Sequence, residues 1–204
     1  DHAQLYRQTQ AAREEMRAVM VGARCLLWHA TVERPGGNPG TQGFTWDMRV
    51  FDTEAAQSFM PLAVKDGETY EAAWFAAKVD TDLQLMDDVA AEALGEGQEG
   101  YSQEFRCVDR HGLTRWLFED VHIEVAGANR WRLIGVCTDV TERKQVDEMK
   151  EEFIATVSHE LRTPLTSILG ALEIVVGGSA GELPESALPL LTIARDNGRR
   201  LARL

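Results

Sequence analysis

The sequence is short of cysteine, of long apolar runs and of positive charge, and each shortage excludes something. Its three thiols, Cys25, Cys107 and Cys137, are an odd number without C-x-x-C spacing. Neither a disulfide framework nor a zinc site is indicated, no metal is expected, and the expected compartment is reducing and cytoplasmic. The best apolar stretch, Ala18 to Trp28, is too short to span a bilayer and is broken by Arg24, and no signal peptide is visible. Basic residues number 21 against 33 acidic ones, a formal net charge of −12, and that average field repels nucleic acid and anionic membrane surfaces. What is present, 44% hydrophobic and 26% charged residues in 204, excludes disorder and collagen and fits one average domain or two small ones. A start at Asp1 and an end at Leu204 within an amphipathic pattern give the expectation of an excerpt from a longer protein.

Four regions separate by period. Asp1 is a plausible N-cap for a polar helix with a thin stripe of Leu5, Ala12, Met16 and Val19, which usually needs a partner helix. From Cys25 to Val140 the segments CLLWHATV, FTWDMRVF, YSQEFRCV, RWLFEDVHIEV and RWRLIGVCTDV read as strands rich in aromatic and β-branched residues. Phe44, Trp46, Met48 and Val50 alternate with Thr45, Asp47 and Arg49, the period-2 mark of a sheet with one covered face. Between the second and third strands, Thr53 to Leu94 is helical, with Leu83, Met86, Ala90 and Leu94 at helical spacing. Asp109 to Gly112 and Ala126 to Asn129 are short hairpin connections. The expected fold is α+β: a five-stranded antiparallel meander with helices on one face.

After Thr141 the period changes for good. Thr141 is expected to cap a helix, and Val146, Met149, Phe153, Val157, Leu161, Leu165, Ile168, Leu172 and Val175 recur at about 3.6 residues per step. The glycine-rich stretch from Gly177 to Gly181 ends that helix, Pro184 is expected to set up a restart, and Leu190, Ala194, Asn197, Leu201 and Leu204 trace a second stripe. Two helices alone cannot bury such stripes, so a second copy completing a four-helix bundle is expected.

His159 lies two positions from both Val157 and Leu161, about 200° round the helix from each at roughly 100° per residue, and so faces away from the seam. A lone exposed histidine is usually inert, but this one adjoins Glu160 and has Thr163 at i+4 on the same face. Pro164 stands inside the helix, where it lacks an N–H and presses on the Glu160 carbonyl, so a bend beside the histidine is expected.

The segment FIATVSHELRTPLTSILG, Phe153 to Gly170, resembles the H-box of sensor histidine kinases, in the dimerisation and histidine-phosphotransfer domain; the resemblance covers about Glu148 to Leu204. It implies that His159 is the phosphoacceptor for the γ-phosphoryl of ATP. It further implies that Glu160 hydrogen-bonds the other ring nitrogen and takes its proton, and that Thr163 positions water in the reverse phosphatase reaction. Arg162 matches the motif without an implied role.

A second resemblance, less specific, covers Met20 to Thr141. Strand order, helical middle and the ending RLIGVCTDVTERK, Arg132 to Lys144, are similar to a PAS sensor domain with its D-x-T junction. The resemblance implies that Asp139, paired with a cation, and Thr141 fasten the last strand to the output helix. The sensed ligand is not readable, and there need not be one. No flavin-photosensor cysteine motif is present, and Thr81 to Leu94 holds no histidine for haem; His29, His111 and His122 lie on strands or a turn. Trp28, Trp46, Trp74, Trp116 and Trp131 are expected in the core. Gly36, Gly37, Gly40 and Gly43 lack a following G-K-[ST] and read as a hairpin loop; Asp87, Asp88, Glu92, Glu96 and Glu99 read as a solvated helix face.

Residues 1–19 are thus expected to form a linker helix, 20–141 a PAS-like sensor domain and 142–204 the phosphoacceptor hairpin. The expected partners are a second copy, the ATP-binding domain of the parent chain, which alone would hold ATP, and the receiver domain of a response regulator. Arg195, Arg199, Arg200 and Arg203 would offer that acidic receiver a locally basic approach. Lacking nucleotide-binding signatures, the fragment is expected to be inactive alone. The rival readings are a non-catalytic dimerisation scaffold and a ligand-binding PAS module with a passive tail.

Overall fold

The computed structural model describes residues 2–34, 43–179, 181 and 183–202. The expected Asp1 cap, the loop glycines Gly36, Gly37 and Gly40, and Arg203 and Leu204 lie outside them. The chain divides into two compact units, Asp1–Lys144 and Gln145–Leu204.

The first unit opens with α1, His2–Gly22, and continues through β1, Cys25–Glu33, and β2, Thr45–Val50. Three helices follow where the periodicity indicates a helical stretch: α2, Thr53–Phe59, α3, Tyr70–Ala77, and α4, Asp80–Glu96. Asp52 and Thr69 cap α2 and α3 by accepting the N–H groups of Ala55 and Ala72. Then come β3, Gly100–Val108, β4, Thr114–Gly127, and β5, Arg130–Asp139. All five strands pair antiparallel in the order β2-β1-β5-β4-β3. This corrects the simple meander: β3, β4 and β5 form one, but β5 then pairs with β1, which places the first strand in the interior of the sheet. Hairpin signals report which strands are joined by tight turns and carry no information on this long-range pairing.

One face of the sheet builds the core with the helices. Leu26, Trp28, Ala30 and Val32 of β1 alternate inward, and with Phe105, Cys107, Leu117, Val121, Leu133 and Cys137 they meet Met60, Tyr70, Trp74, Met86 and Leu94. Gly135 has a steric reason: it stands opposite Trp28 across the β1–β5 pair, and a Cβ there would be 2.1 Å from the Trp28 ring. Trp28 and Trp74 are buried as expected, whereas Trp46 sits at the free edge of β2 and stays exposed.

The docking face of α1 differs from the expected one. Ala12, Met16 and Val19 are exposed, and the helix attaches near its end instead, through Met20 against Cys25 and Ala55 and through Arg17 paired with Asp52 and Glu54. The stripe is therefore not what fastens this helix to its own unit.

The second unit comprises the greater part of α5, Thr141–Val176, and all of α6, Leu188–Leu201. The α5 helix is continuous through Pro164. It stops where foreseen: Gly178 takes φ +79°, and the N–H groups of Gly177, Gly178 and Ser179 return to the last carbonyls. The restart is later than expected. Pro184 opens a turn through its carbonyl, which accepts the Ala187 N–H, and it is Pro189 that occupies the first turn of α6, where a missing N–H costs nothing.

Candidate functional site

Helix α5 carries the candidate nucleophile. The His159 side chain is 77% exposed and that of Glu160 78%, with Nδ1 and Oε1 3.7 Å apart, an electrostatic contact longer than a hydrogen bond. The Thr163 hydroxyl donates to the His159 carbonyl at 3.5 Å, and Thr166 and Ser167 repeat the pattern toward Arg162 and Thr163. Pro164 offers no N–H to the Glu160 carbonyl, so the hydrogen-bond ladder has a gap on the turn that carries the histidine. An imidazole held on a helix yet open on every side can be approached in turn by two bulky partners, as a group-transfer nucleophile requires.

The seam is equally open. No side chain of α5 is buried: Phe153 is 68% exposed, Leu161 63%, and Met149 and Ile168 also stand in water. Within the hairpin the contact is narrow. Gly198 of α6 is buried, and a Cβ there would come within 2.7 Å of Leu169; Leu165, Leu172 and Leu191 are half-buried, and Arg199 pairs with Glu173 at 2.8 Å. The stripe traced from the sequence, Leu190, Ala194, Asn197 and Leu201, is thus the face α6 leaves open, and the face toward α5 lies one position on. Each such side chain forgoes roughly 1.5–3 kcal/mol of burial while it stays in water. In the basic cluster, Arg195 and Arg199 already pair with Asp196 and Glu173.

At the start of α5, Asp139 Oδ2 pairs with Arg115 at 3.3 Å, and Oδ1 accepts both the N–H and the hydroxyl of Thr141. The Thr141 hydroxyl oxygen in turn accepts the Trp116 N–H at 2.9 Å. This corrects the expected cap: the Thr141 side chain is spent on the sheet, and Asp139 serves the first helical N–H instead. Arg115 also engages Asp109, whose side chain is fully buried. Burial pushes the Asp109 carboxyl up, but the N–H groups of Leu113 and His111 and the Arg115 guanidinium outweigh it and hold it below the usual carboxylate range. One residue group of β3, β4 and α5 escaped sequence reasoning: Glu104 pairs with Arg143 and Lys144, and Lys144 lies over the Trp116 ring at 5.0 Å. The hydrogen bond from Lys144, with help from Arg143, holds the Glu104 carboxyl below its ordinary range.

Inside the core of the first unit, the Glu119 carboxyl group is buried. It accepts from the Trp28 indole at 2.9 Å, the Gln103 amide at 2.6 Å and the Cys137 thiol at 3.4 Å. Burial pushes the Cys137 thiol well up and that of Cys107 to about 12, so both are neutral. All three cysteines are free and buried. His29 stacks edge-on with Phe51 at 5.1 Å, and among the described residues no cluster of His, Cys, Asp and Glu is placed to hold a metal ion. Among the same residues no helix is long and apolar enough to cross a membrane.

Comparison with known proteins bears on both units. The His Kinase A (phospho-acceptor) domain family matches residues 149–204. Over 122 residues the chain is 34% identical to the sensor histidine kinase WalK of Bacillus subtilis, covering 60% of this chain and 20% of that protein. Over 123 residues it is 45% identical to the sensor protein kinase WalK of Staphylococcus aureus, 60% of this chain and 28% of that one. The chain thus spans well under a third of these relatives. Among solved structures, a sensory box histidine kinase/response regulator from Burkholderia thailandensis aligns over 72% of this chain and 98% of its own at 20% identity, TM-score 0.46. The PAS domain of a protein from Colwellia psychrerythraea aligns over 63% and 97% at 15% identity, TM-score 0.37.

Proposed function

From the match of residues 149–204 to the His Kinase A (phospho-acceptor) domain family, we propose that this chain is the sensing and phosphate-accepting part of a two-component sensor histidine kinase. His159 is the phosphoacceptor. A neutral imidazole nitrogen attacks the γ-phosphorus of ATP, the bond to the β–γ bridging oxygen breaks, and ADP leaves with that electron pair. The ring becomes cationic in the process, and Glu160, beside Nδ1, stabilises that charge and receives the ring proton. The phosphoryl group then passes to an aspartate carboxylate on the receiver domain of a response regulator, which restores the free imidazole. Thr163 positions water in the reverse direction, hydrolysis of the phosphorylated regulator. ATP is held by a separate ATP-binding domain, so residues 1–204 alone do not phosphorylate themselves. ATP as donor puts the reaction in the cytoplasm.

The open seams of α5 and α6 support a homodimer in which two hairpins close a four-helix bundle, with His159 outside. In this reading residues 1–19 link the chain to what precedes it, 20–141 sense, and 142–204 accept phosphate. Asp139 and Thr141 join the sensor's last strand to α5, so a rearrangement of the sheet changes the hold on the helix that carries His159.

The observation that carries the proposal is the unbroken helix bearing SHELRTPL with its histidine three-quarters exposed. Supplied with ATP and the parent's ATP-binding domain, the chain is expected to gain phosphate that is acid-labile and base-stable. His159→Ala is expected to gain none. Undiminished phosphate on His159→Ala overturns the assignment, and no phosphate on either chain favours a scaffold.

A further inference from the structure

The first turn of α5 is held to the sheet by more than Asp139 and Thr141. On the sheet face opposite the core, Arg106 of β3 and Trp116 of β4 are direct cross-strand partners. The Arg106 guanidinium lies 5.3 Å from the Trp116 ring centroid, and the Lys144 ammonium lies 5.0 Å from the same centroid. Each cation is backed by a carboxylate. Asp82, in the first turn of α4, accepts both the backbone N–H and Nε of Arg106 at 2.9 Å, and the Thr81 hydroxyl accepts from Nη2 at 2.9 Å. The Arg106 carbonyl also accepts the Val79 N–H at 2.9 Å, so the N-terminus of α4 is tied to this residue from two sides. At the other end Glu104 takes Lys144 and Arg143 together.

Two cations therefore share one indole, Arg106 backed by Asp82 and Lys144 by Glu104, which also takes Arg143. An aromatic face attracts each cation, but the cations repel one another, and the arrangement holds while Asp82 and Glu104 offset that repulsion. Removing the charge of Asp82 leaves Arg106 uncompensated and competing with Lys144 for the same ring, although the ion pair of Asp82 is with Arg106 and not with α5. The opposite face of α4, with Met86, Ala90, Ala93 and Leu94, is buried in the core, so a change there that shifts α4 shifts Asp82 with it.

We infer that Asp82, Arg106, Trp116, Lys144 and Glu104 form one relay through which the N-terminus of α4 sets how firmly the first turn of α5 is held. Arg106 and Trp116 are positioning residues, and their effect on His159 rests on the function proposed above. Amide hydrogen exchange of residues 142–148 in the whole chain tests the relay without reference to phosphate. Asp82→Asn is expected to raise exchange there at least threefold, as is Lys144→Met. In a Lys144→Met or Trp116→Leu background, Asp82→Asn is expected to add nothing; the two backgrounds guard against a folding defect of either variant. Unchanged exchange in Asp82→Asn, or the same increment with and without Lys144 and Trp116, overturns the relay. Phosphorylation of His159 by the parent's ATP-binding domain is measured in parallel. A changed exchange with an unchanged phosphorylation rate supports the relay and overturns its link to output.

Discussion

Between Cys25 and Asp139 the fold encloses a core of large apolar side chains, with Trp74, Phe105, Leu26, Met60, Leu117 and Leu133 fully buried, while along α5 no side chain is buried at all. Both regions are rich in leucine and valine. The difference lies in geometry: a sheet with three helices on one face encloses a core from a single chain, whereas two helices touch along one line and leave their other apolar faces in water. The first unit is thus stable through its own contacts and holds polar side chains inside, as at Glu119 and Asp109. The second unit leaves its apolar seam and His159 exposed, which the proposed function reads as a surface awaiting a second copy and a phosphoacceptor kept outside it.

That contrast can be broken from either side. The largest effect is expected from the pair Leu161→Glu and Ile168→Glu, which puts carboxylates in the open seam. Losing about 1.5–3 kcal/mol of burial at each position in both copies weakens self-association by a hundredfold or more. Analytical ultracentrifugation checks this, and the tryptophan-detected melting of the first unit is expected to stay unchanged. Gly135→Ala is the reverse experiment. The new methyl group meets the Trp28 ring, and overpacking of that kind costs the first unit about 3 kcal/mol. Denaturant unfolding followed by fluorescence reads it, with self-association through the second unit retained. Arg115→Met is smaller, about 2 kcal/mol, because Asp109 stays buried with its backbone donors but without its cation.

The pH dependence of the first unit is smaller still. The folded Asp109 carboxyl is held below its unfolded value of about 3.9. A depressed folded value gives stability that is fully present above the unfolded pKa and is lost as pH falls through the folded one. Chemical denaturation between about pH 5 and pH 2 is expected to show this loss in the wild type and less of it in Asp109→Asn.

The helical geometry around His159 was legible because it is local. The spacing of the seam, the outward turn of His159 and the glycine stop all lie within a few helical turns, and a helix transmits them faithfully into space. The strands of the first unit were legible too, each from its own alternation. Their order was not, since nothing in Cys25–Glu33 or Arg130–Asp139 announces that the two pair. The same limit hid Glu104, Trp116 and Lys144, which meet only once β3, β4 and the start of α5 are side by side. Asp109 was open to discovery: an aspartate three residues before Gly112 in a tight loop is the residue type whose carboxylate gathers the N–H groups of that loop. Leu190 and Leu201 were correctly read as an apolar stripe, but a stripe does not say whether its partner belongs to the same chain or to another.

All five tryptophans, Trp28, Trp46, Trp74, Trp116 and Trp131, lie in the first unit, so fluorescence reports that unit alone, while helical ellipticity reports both. Thermal unfolding of the whole chain followed by both signals over a hundredfold range of protein concentration tests the contrast most directly. The expected result is a fluorescence transition that does not move with concentration and an ellipticity transition that rises with it. Coincident transitions that ignore concentration would contradict the claim that the phospho-acceptor hairpin is completed by a second copy.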